Sequence, residues 1–261
     1  MSTQEARTVR VTAKEVDKRR RLTRLLLILL IIAILLLSFV FAGATFLSRA
    51  GRFTITLDPE AYNKHSISIS ATEDFENPTV MLRGTAIDNM WNITKDWLLN
   101  KPDNKEYYAK GYPTYEEFAD LDKVEGDHNG KDYIAYTFWI RNAGTEKTGY
   151  YGTLDIDSVA KGADEAMRVM VFRNGEPTVY GKYPKTPNIP YATFAIDEFF
   201  ASRTMVTDFA RAQMEPGEKD RYTVIIWLEG WDPECVNDIM GGAVKLSLNF
   251  KVLREGEDVQ N

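Results

Sequence analysis

The sequence predicts an all-β fold, a jelly-roll-like antiparallel β-sandwich preceded by one N-terminal transmembrane helix. Stretches of alternating apolar and polar residues recur from residue 52 onward, and residues typical of tight turns separate them. One long, uncharged apolar run precedes these stretches. With 261 residues, 44% of them hydrophobic and 27% charged, the chain has the composition of a globular protein.

The uncharged apolar run predicts a helix that crosses a membrane. It begins at Leu25, ends at Leu47 and directly follows the basic stretch KRRRLTR of residues 18–24. At about 1.5 Å per residue, a helix of this length crosses a hydrocarbon core of about 30 Å. Basic residues stay on the cytoplasmic side. We therefore expect a cytoplasmic tail at residues 1–24, contact with the lipid bilayer through residues 25–47, and an extracellular domain at 48–261 of a single-pass cell-membrane protein.

A cleaved export signal is the alternative interpretation of this run. The stretch Ala42-Gly43-Ala44 resembles a signal-peptidase site. The apolar run is longer than the roughly 7–15 residues of a signal peptide, and this length favours a retained anchor.

Charge is distributed unevenly along the chain. Basic residues dominate residues 1–24, and because the net charge of the whole chain is −6, the remainder is strongly acidic. An acidic body repels phosphate, so nucleic acid is not an expected partner.

Strand patterns are clearest in the second half of the chain. YIAYTFWIRN at residues 133–142 and AVKLSLNFKV at residues 243–252 alternate with period two, and Asn174-Gly175 predicts a two-residue hairpin. About nine such strands joined by tight turns favour two packed sheets. Residues 88–127 lack the pattern and are expected to form an insertion.

The stretch EGWDPECVNDIMGG at residues 229–242 raises the question of a metal site or a reactive thiol. Its cysteine, Cys235, has no histidine nearby, so zinc ligation is not expected, and the spacing of an EF-hand is absent. The Asp-Pro and Gly-Gly pairs are typical of a loop between two strands, and we predict such a connection.

An acidic loop supplies the candidate metal ligands. Asp127, Asn129 and Asp132 surround Gly130 and resemble part of a calcium loop, so calcium is the candidate cofactor. The alternative is that Asn129-Gly130 simply turns the chain into the next strand while the acidic residues keep the loop solvated.

Aromatic residues supply a candidate binding surface. Exposed tryptophan and tyrosine side chains hold sugars and anchor protein interfaces, whereas buried ones only pack the insertion onto the sheets. The candidate residues for the exposed surface are Trp91, Trp97, Tyr107, Tyr108 and Trp231.

Catalytic signatures are absent from the sequence. The chain contains no H-E-x-x-H, no G-x-S-x-G and no glycine-rich phosphate loop. A pair of catalytic carboxylates is an alternative that the sequence leaves open, because carboxylates are plentiful and the sequence alone does not fix their positions. We expect a protein that is not an enzyme.

The layout of an apolar helix followed by strands resembles the TasA/camelysin-type surface proteins of Gram-positive bacteria. The resemblance covers residues 51–253 loosely and depends on the strand of residues 133–144 and on the stretch of residues 216–250. It implies a jelly-roll sandwich with a matrix-fibre or cell-surface role. The metallo-endopeptidase activity attributed to some members is not carried over, because zinc ligands are not evident here.

These observations lead to one functional expectation and two alternatives. We expect a non-enzymatic structural or adhesive protein that contacts a cell-surface protein or a glycan. The alternatives are a cleaved fibre subunit that self-associates by strand addition and a dedicated glycan-binding module.

Overall fold

A computed structural model describes residues 18, 20–21, 23–38, 53–95, 121–186 and 188–253. The chain divides into two compact units, residues 1–49 and residues 50–261. In the first unit, the described residues 23–38 form one continuous helix, α1. Most of the predicted basic tail and residues 39–47 of the predicted membrane span lie outside the described residues.

The prediction of a single-pass membrane protein with an extracellular domain is wrong. Within the described part of the chain, the model contains no helix that combines the length and the apolar character needed to cross a membrane. Among the described residues, the uninterrupted helical stretch covers residues 23–38, fewer than the roughly 20 residues that a span needs.

The second unit consists mainly of β-strands, so the all-β prediction is confirmed. The strands within the described residues are β1 Thr54–Leu57, β2 Ile67–Ser70, β3 Met81–Arg83, β4 Gly126–Asp127, β5 Ile134–Asn142, β6 Thr148–Ala160, β7 Met167–Arg173, β8 Glu176–Gly181, β9 Glu198–Phe199, β10 Met205–Met214, β11 Lys219–Leu228 and β12 Ala243–Val252. The short helix α2 spans Pro59–His65, and single 3-10 turns span Leu121–Lys123 and Asn237–Ile239.

The strands form two sheets. Sheet A has the order β10-β6-β12-β1-β3, and sheet B has the order β2-β5-β11-β7-β8-β9, with β4 pairing separately to β5. Most pairs are antiparallel, as predicted, but β1 pairs with β12 and β8 pairs with β9 in parallel. The sheets are therefore mixed. Parallel neighbouring strands are joined by long crossover connections, and a sequence pattern of local hairpins does not reveal these.

The hairpin between β7 and β8 is confirmed at Asn174-Gly175. Arg173 pairs with Glu176, and the two residues between them have φ angles of 53° and 94°. Asparagine and glycine are the residues that adopt these positive angles most readily, and the right-handed strand twist requires them in a two-residue loop.

Two hydrophobic cores lie on the two faces of sheet B. The first core lies between the sheets and includes Ile55 and Leu248 of sheet A and Phe138 and Val224 of sheet B. The second core covers the outer face of sheet B and includes Trp227. β5 is buried along almost its whole length, because its alternate side chains enter the two cores.

The described parts of the predicted insertion cover the outer face of sheet B. Ile93 forms a parallel bridge to Glu229, and both Ile93 and Leu121 are buried in the second core. Residues 96–120, which include most of the insertion, lie outside the described residues.

Candidate functional site

Three aromatic rings meet at the surface beside the outer face of sheet B, and together they are called the aromatic site: Tyr191, Phe194 and Trp231. The ring centroids of Tyr191 and Trp231 are 4.9 Å apart, and those of Phe194 and Trp231 are 6.0 Å apart. Tyr191 is 54% exposed and Trp231 is 51% exposed. Large aromatic side chains are usually well buried, so two half-exposed rings in contact mark a candidate binding surface.

Tyr191 and Phe194 are carried by residues 188–197, called the tyrosine loop. Successive backbone hydrogen bonds fold this loop into turns, for example from Phe194 N to Tyr191 O at 3.0 Å. Its end is fixed to β8: Asp197 N donates to Val179 O at 2.8 Å, and the Asp197 carboxylate accepts from Val179 N at 2.8 Å.

Ile196 fixes the same loop through packing. A Cβ atom added at Gly181 of β8 would lie 2.5 Å from Ile196 Cδ1, so the Ile196 side chain occupies the space that a side chain at position 181 would need. Within the loop, Tyr191 has a φ of 67°, a left-handed conformation that is uncommon for an aromatic residue.

Trp231 is carried by residues 229–242, called the tryptophan loop. The carboxylate of Glu229, which is fully buried, accepts from Trp231 N at 3.1 Å, from Trp227 Nε1 at 3.1 Å and from Lys95 N at 3.2 Å. Burial raises the pKa of Glu229 above its ordinary value, although these donors oppose the shift. Because the Glu229 carboxylate is hydrogen-bonded to the backbone of Trp231, it fixes the backbone position from which the indole ring extends.

A buried ion pair lies beneath the two loops. Arg168 of β7 is fully buried, and its Nη2 donates to Asp232 Oδ2 at 2.6 Å. Asp232 Oδ1 in turn accepts from Glu234 N at 2.8 Å and closes a turn within the tryptophan loop. The Arg168 Nε atom donates to Phe194 O of the tyrosine loop at 3.1 Å.

Residues 91–95 lie alongside the tryptophan loop. Ile93 N donates to Leu228 O, and Gly230 N donates to Ile93 O, both at 2.9 Å. Asn92 Nδ2 approaches Cys235 Sγ at 3.5 Å. Trp91 is 62% exposed, so this neighbouring segment adds a further exposed indole.

The structure brings together part of the aromatic surface that the sequence predicts. Trp91 and Trp231 lie on neighbouring segments, whereas Trp97, Tyr107 and Tyr108 lie outside the described residues. The sequence reasoning missed Tyr191 and Phe194. The available signal was the PNIPYATF stretch, in which two prolines interrupt any strand pattern and leave aromatic residues in an irregular segment.

The candidate calcium ligands hold a neighbouring segment in place. Asp127 Oδ2 accepts from Thr85 N at 2.8 Å, Asn129 Nδ2 donates to Thr85 O at 3.0 Å, and Asp132 Oδ1 accepts from Trp91 N at 2.8 Å. In the part of the chain that the structure describes, no group of three or more His, Cys, Asp or Glu residues is placed to hold a metal ion. Calcium binding stays a prediction.

Cys235 is half-buried inside the tryptophan loop. Burial raises the pKa of its thiol above the ordinary value, and the carboxylates of Asp232 and Glu229 act in the same direction. The thiol therefore stays protonated at neutral pH, which makes it a poor nucleophile. Residues 229–242 join β11 to β12, as the sequence predicts for a connecting loop.

Comparisons with known proteins do not identify this chain. No protein-family model matches it, and comparison with the sequences of characterised proteins gives no match. Among solved structures, the chain is similar to a selenomethionine-labelled β-glucosidase from Kluyveromyces marxianus, with 11% identity, a TM-score of 0.20 and coverage of 45% of this chain. A β-glucosidase from the same organism in complex with glucose shows 10% identity, a TM-score of 0.21 and coverage of 49% of this chain. The match spans only 11% and 12% of those chains, and TM-scores this low establish no shared fold.

Proposed function

We propose that this chain is a non-enzymatic binding protein that recognises carbohydrate through the aromatic site. The observation that carries the proposal is the contact between Tyr191 and Trp231, two rings that stay half-exposed although each is held on an anchored loop. The apolar C–H face of a pyranose ring packs against an aromatic face. Rings that are fixed before binding lose little conformational entropy when the sugar arrives.

Charged residues on or beside the two loops that carry the rings support the same ligand class. Lys185 and Glu234 are joined by a hydrogen bond from Lys185 N to Glu234 Oε1 at 2.9 Å, three residues from Trp231 along the chain. Asp197 lies at the end of the tyrosine loop and is exposed. Charged groups on or beside the loops that carry the rings are suited to the hydroxyl groups of a sugar.

The test is a direct binding measurement. Cellohexaose and chitohexaose are suitable probes, because their all-equatorial rings present apolar faces on both sides. We expect either sugar to bind, and we expect Trp231→Ala or Tyr191→Ala to weaken that binding by about tenfold or more in isothermal titration calorimetry. Tyr183→Ala is the matched control, since Tyr183 is exposed and paired with Phe199 outside the aromatic site.

Two results would contradict the proposal. One is the absence of binding to either sugar by the wild-type chain. The other is wild-type affinity in the Trp231→Ala variant, because a sugar site on these rings cannot lose its indole without effect.

The arrangement of the strands in the two sheets supports a more specific fold. We infer a jelly-roll-like β-sandwich, because β5, β6 and β7 alternate between the two sheets, as do β10, β11 and β12, and because both sheets contribute to one core. The resemblance to TasA/camelysin-type proteins stays a prediction. The role in structural or adhesive assemblies also stays a prediction.

A further inference from the structure

The two loops of the aromatic site come from distant parts of the chain. The tyrosine loop follows β8, and the tryptophan loop follows β11. Each is fixed separately to its own surroundings, through Asp197 in one case and Glu229 in the other. A binding surface that uses rings from both loops also needs a connection that sets the distance between them.

Arg168 provides contacts to both loops from beneath. Its alternation with Val169 in β7 places it on the outer face of sheet B, below the aromatic site. The guanidinium donates to Phe194 O at 3.1 Å in the tyrosine loop and to Asp232 Oδ2 at 2.6 Å in the tryptophan loop, and it also donates to Met167 O at 3.3 Å in its own strand. One planar group with donors in fixed directions thus reaches three segments of the chain.

The burial of Arg168 separates its role from that of the rings. Its side chain is 0% exposed, so a ligand on the surface does not touch it. The side chain of Asp232 is 3% exposed, so this ion pair is shielded from solvent and from screening by salt. Phe194 itself belongs to the aromatic site, and Asp232 directly follows Trp231 in the sequence.

We infer that Arg168 is the positioning residue of the aromatic site, because it joins the tyrosine loop to the tryptophan loop and so sets the spacing of Tyr191, Phe194 and Trp231. As a statement about sugar binding, this inference rests on the proposed function. As a statement about the coupling of two loops, it stands on the contacts of Arg168 alone.

The test compares Arg168→Met with a double variant, Arg168→Met/Asp232→Leu. The single variant leaves Asp232 as an unpaired buried carboxylate and can unfold the chain for that reason alone. The double variant removes both charges, and replacement of a buried ion pair by apolar residues of similar size is often neutral for folding. Arg173→Met is the matched control, because Arg173 lies on the same strand and donates instead to Ala210 O of β10.

The rate of native-state cleavage by chymotrypsin measures how readily each loop opens, since this protease cuts after Tyr191, Phe194 and Trp231. We expect the double variant to unfold cooperatively near the wild-type midpoint, to be cleaved about tenfold faster in both loops, and to bind cellohexaose or chitohexaose about tenfold more weakly. The Arg173→Met variant is expected to keep both loops as resistant as in the wild type, even if its unfolding midpoint falls.

Each other result has a defined meaning. Wild-type resistance of either loop in the double variant would overturn the inference, and so would wild-type affinity for a sugar that the wild type binds. A double variant that does not fold would show that the pair is required for the fold itself, which contradicts a positioning role. If the wild type binds neither sugar, the proposed function fails, and the cleavage pattern alone decides the coupling of the loops.

Discussion

Tyr191 holds an exposed ring on a left-handed backbone. Its φ of 67° lies in a region that costs roughly 1–2 kcal/mol for residues other than glycine and asparagine. Its contacts with Trp231 and Phe194 are worth about 0.5–1.5 kcal/mol beyond their burial. The two effects are of similar size, so stability alone does not explain why a tyrosine stands at this position.

Tyr191→Asn should therefore separate stability from binding. Asparagine tolerates the left-handed backbone, so relief of strain offsets the lost ring contacts, and we expect the free energy of unfolding to change by less than about 1 kcal/mol. Sugar affinity should fall by about tenfold or more. Denaturant titration and calorimetry measure the two quantities.

The matched control for this prediction is Tyr183→Asn. Tyr183 pairs with Phe199 at 5.0 Å and is not among the described residues with a positive φ. This variant is expected to lose about 0.5–1.5 kcal/mol without weakening sugar binding. A loss of more than about 2 kcal/mol in Tyr191→Asn would show that the ring serves stability after all.

His128 is expected to make the stability of the chain sensitive to mild acid. Burial lowers the pKa of His128 below its ordinary value of 6.5, and Nδ1 lies 2.9 Å from Gly126 O. Because the folded pKa lies below the unfolded pKa, the stabilising contribution is complete above the unfolded value. It is lost as the pH falls through the folded value.

We predict that His128→Gln reduces the loss of unfolding free energy between about pH 7.5 and pH 5.5. His65→Gln should leave that loss unchanged, because His65 is exposed at the end of α2. Unfolding in guanidinium chloride across this pH range is the measurement. Equal pH dependence in wild type and His128→Gln would show that His128 does not titrate differently in the folded and unfolded chains.

At the level of elements, β6 depends on a glycine to accommodate its neighbours. β6 pairs with both β10 and β12, and the rings of Phe209 and Phe250 lie over Gly152. A Cβ atom added at Gly152 would lie 2.4 Å from Phe209 Cε2 and 2.8 Å from Phe250 Cε1. These distances are too short for any real contact, so the rings would have to move.

Gly152→Ala is expected to destabilise the fold by about 1–3 kcal/mol, because an added methyl group overpacks the core between the sheets. Gly84→Ala is the control: its Cβ would lie 3.5 Å from Phe53 Cβ and 3.5 Å from Tyr136 Cδ2, which is ordinary contact. Thermal unfolding of the two variants should separate them. Equal stability would mean that Phe209 and Phe250 rearrange freely.

Local patterns were sufficient to predict the elements in which one physical rule dominates. The sequence of β12 alternates between apolar and polar residues from Val244 onward, and the β7–β8 hairpin is fixed by Asn174-Gly175. β10 was missed because two shifts of register interrupt its pairing with β6 and break the period of two. The short helix α2 was also missed, although Asp58 caps it by accepting from Glu60 N and Pro59 follows the cap.

At the level of the whole molecule, a buried polar network joins the two sheets. Tyr150 of sheet A donates to Asp220 Oδ2 of sheet B at 2.6 Å and lies 2.7 Å from the Tyr222 hydroxyl. Burial raises the pKa of Tyr222 to about 12 and also raises that of Tyr150, so both hydroxyls remain protonated donors. Asp220 also accepts from Asn174 and pairs with Arg211.

Asp220→Ala should therefore destabilise the chain by about 3–5 kcal/mol, because several buried donors would lose their acceptor at once. Asp208→Ala is the control: Asp208 accepts from Tyr151 within sheet A and is only half-buried, so a loss of about 1 kcal/mol or less is expected. Equilibrium unfolding measures both. Equal losses would mean that the network does not link the sheets energetically.

The aromatic site shows why sequence reasoning stops short of the whole molecule. Arg168, Tyr191 and Trp231 belong to different strands or loops, and only the order of strands in sheet B brings them together. Trp91 lies in the predicted insertion beside the tryptophan loop, but nothing local indicated Arg168 as a buried residue.

Sheet B lies between two apolar layers, and this position has a consequence for the exchange of its amide hydrogens with solvent deuterium. At β5 and β11, each strand is hydrogen-bonded on both sides, and side chains on both faces are buried. Water reaches these amides only when the whole unit opens. Their isotope exchange rates should therefore report the global free energy of unfolding, whereas amides of the edge strand β3 should exchange through local opening.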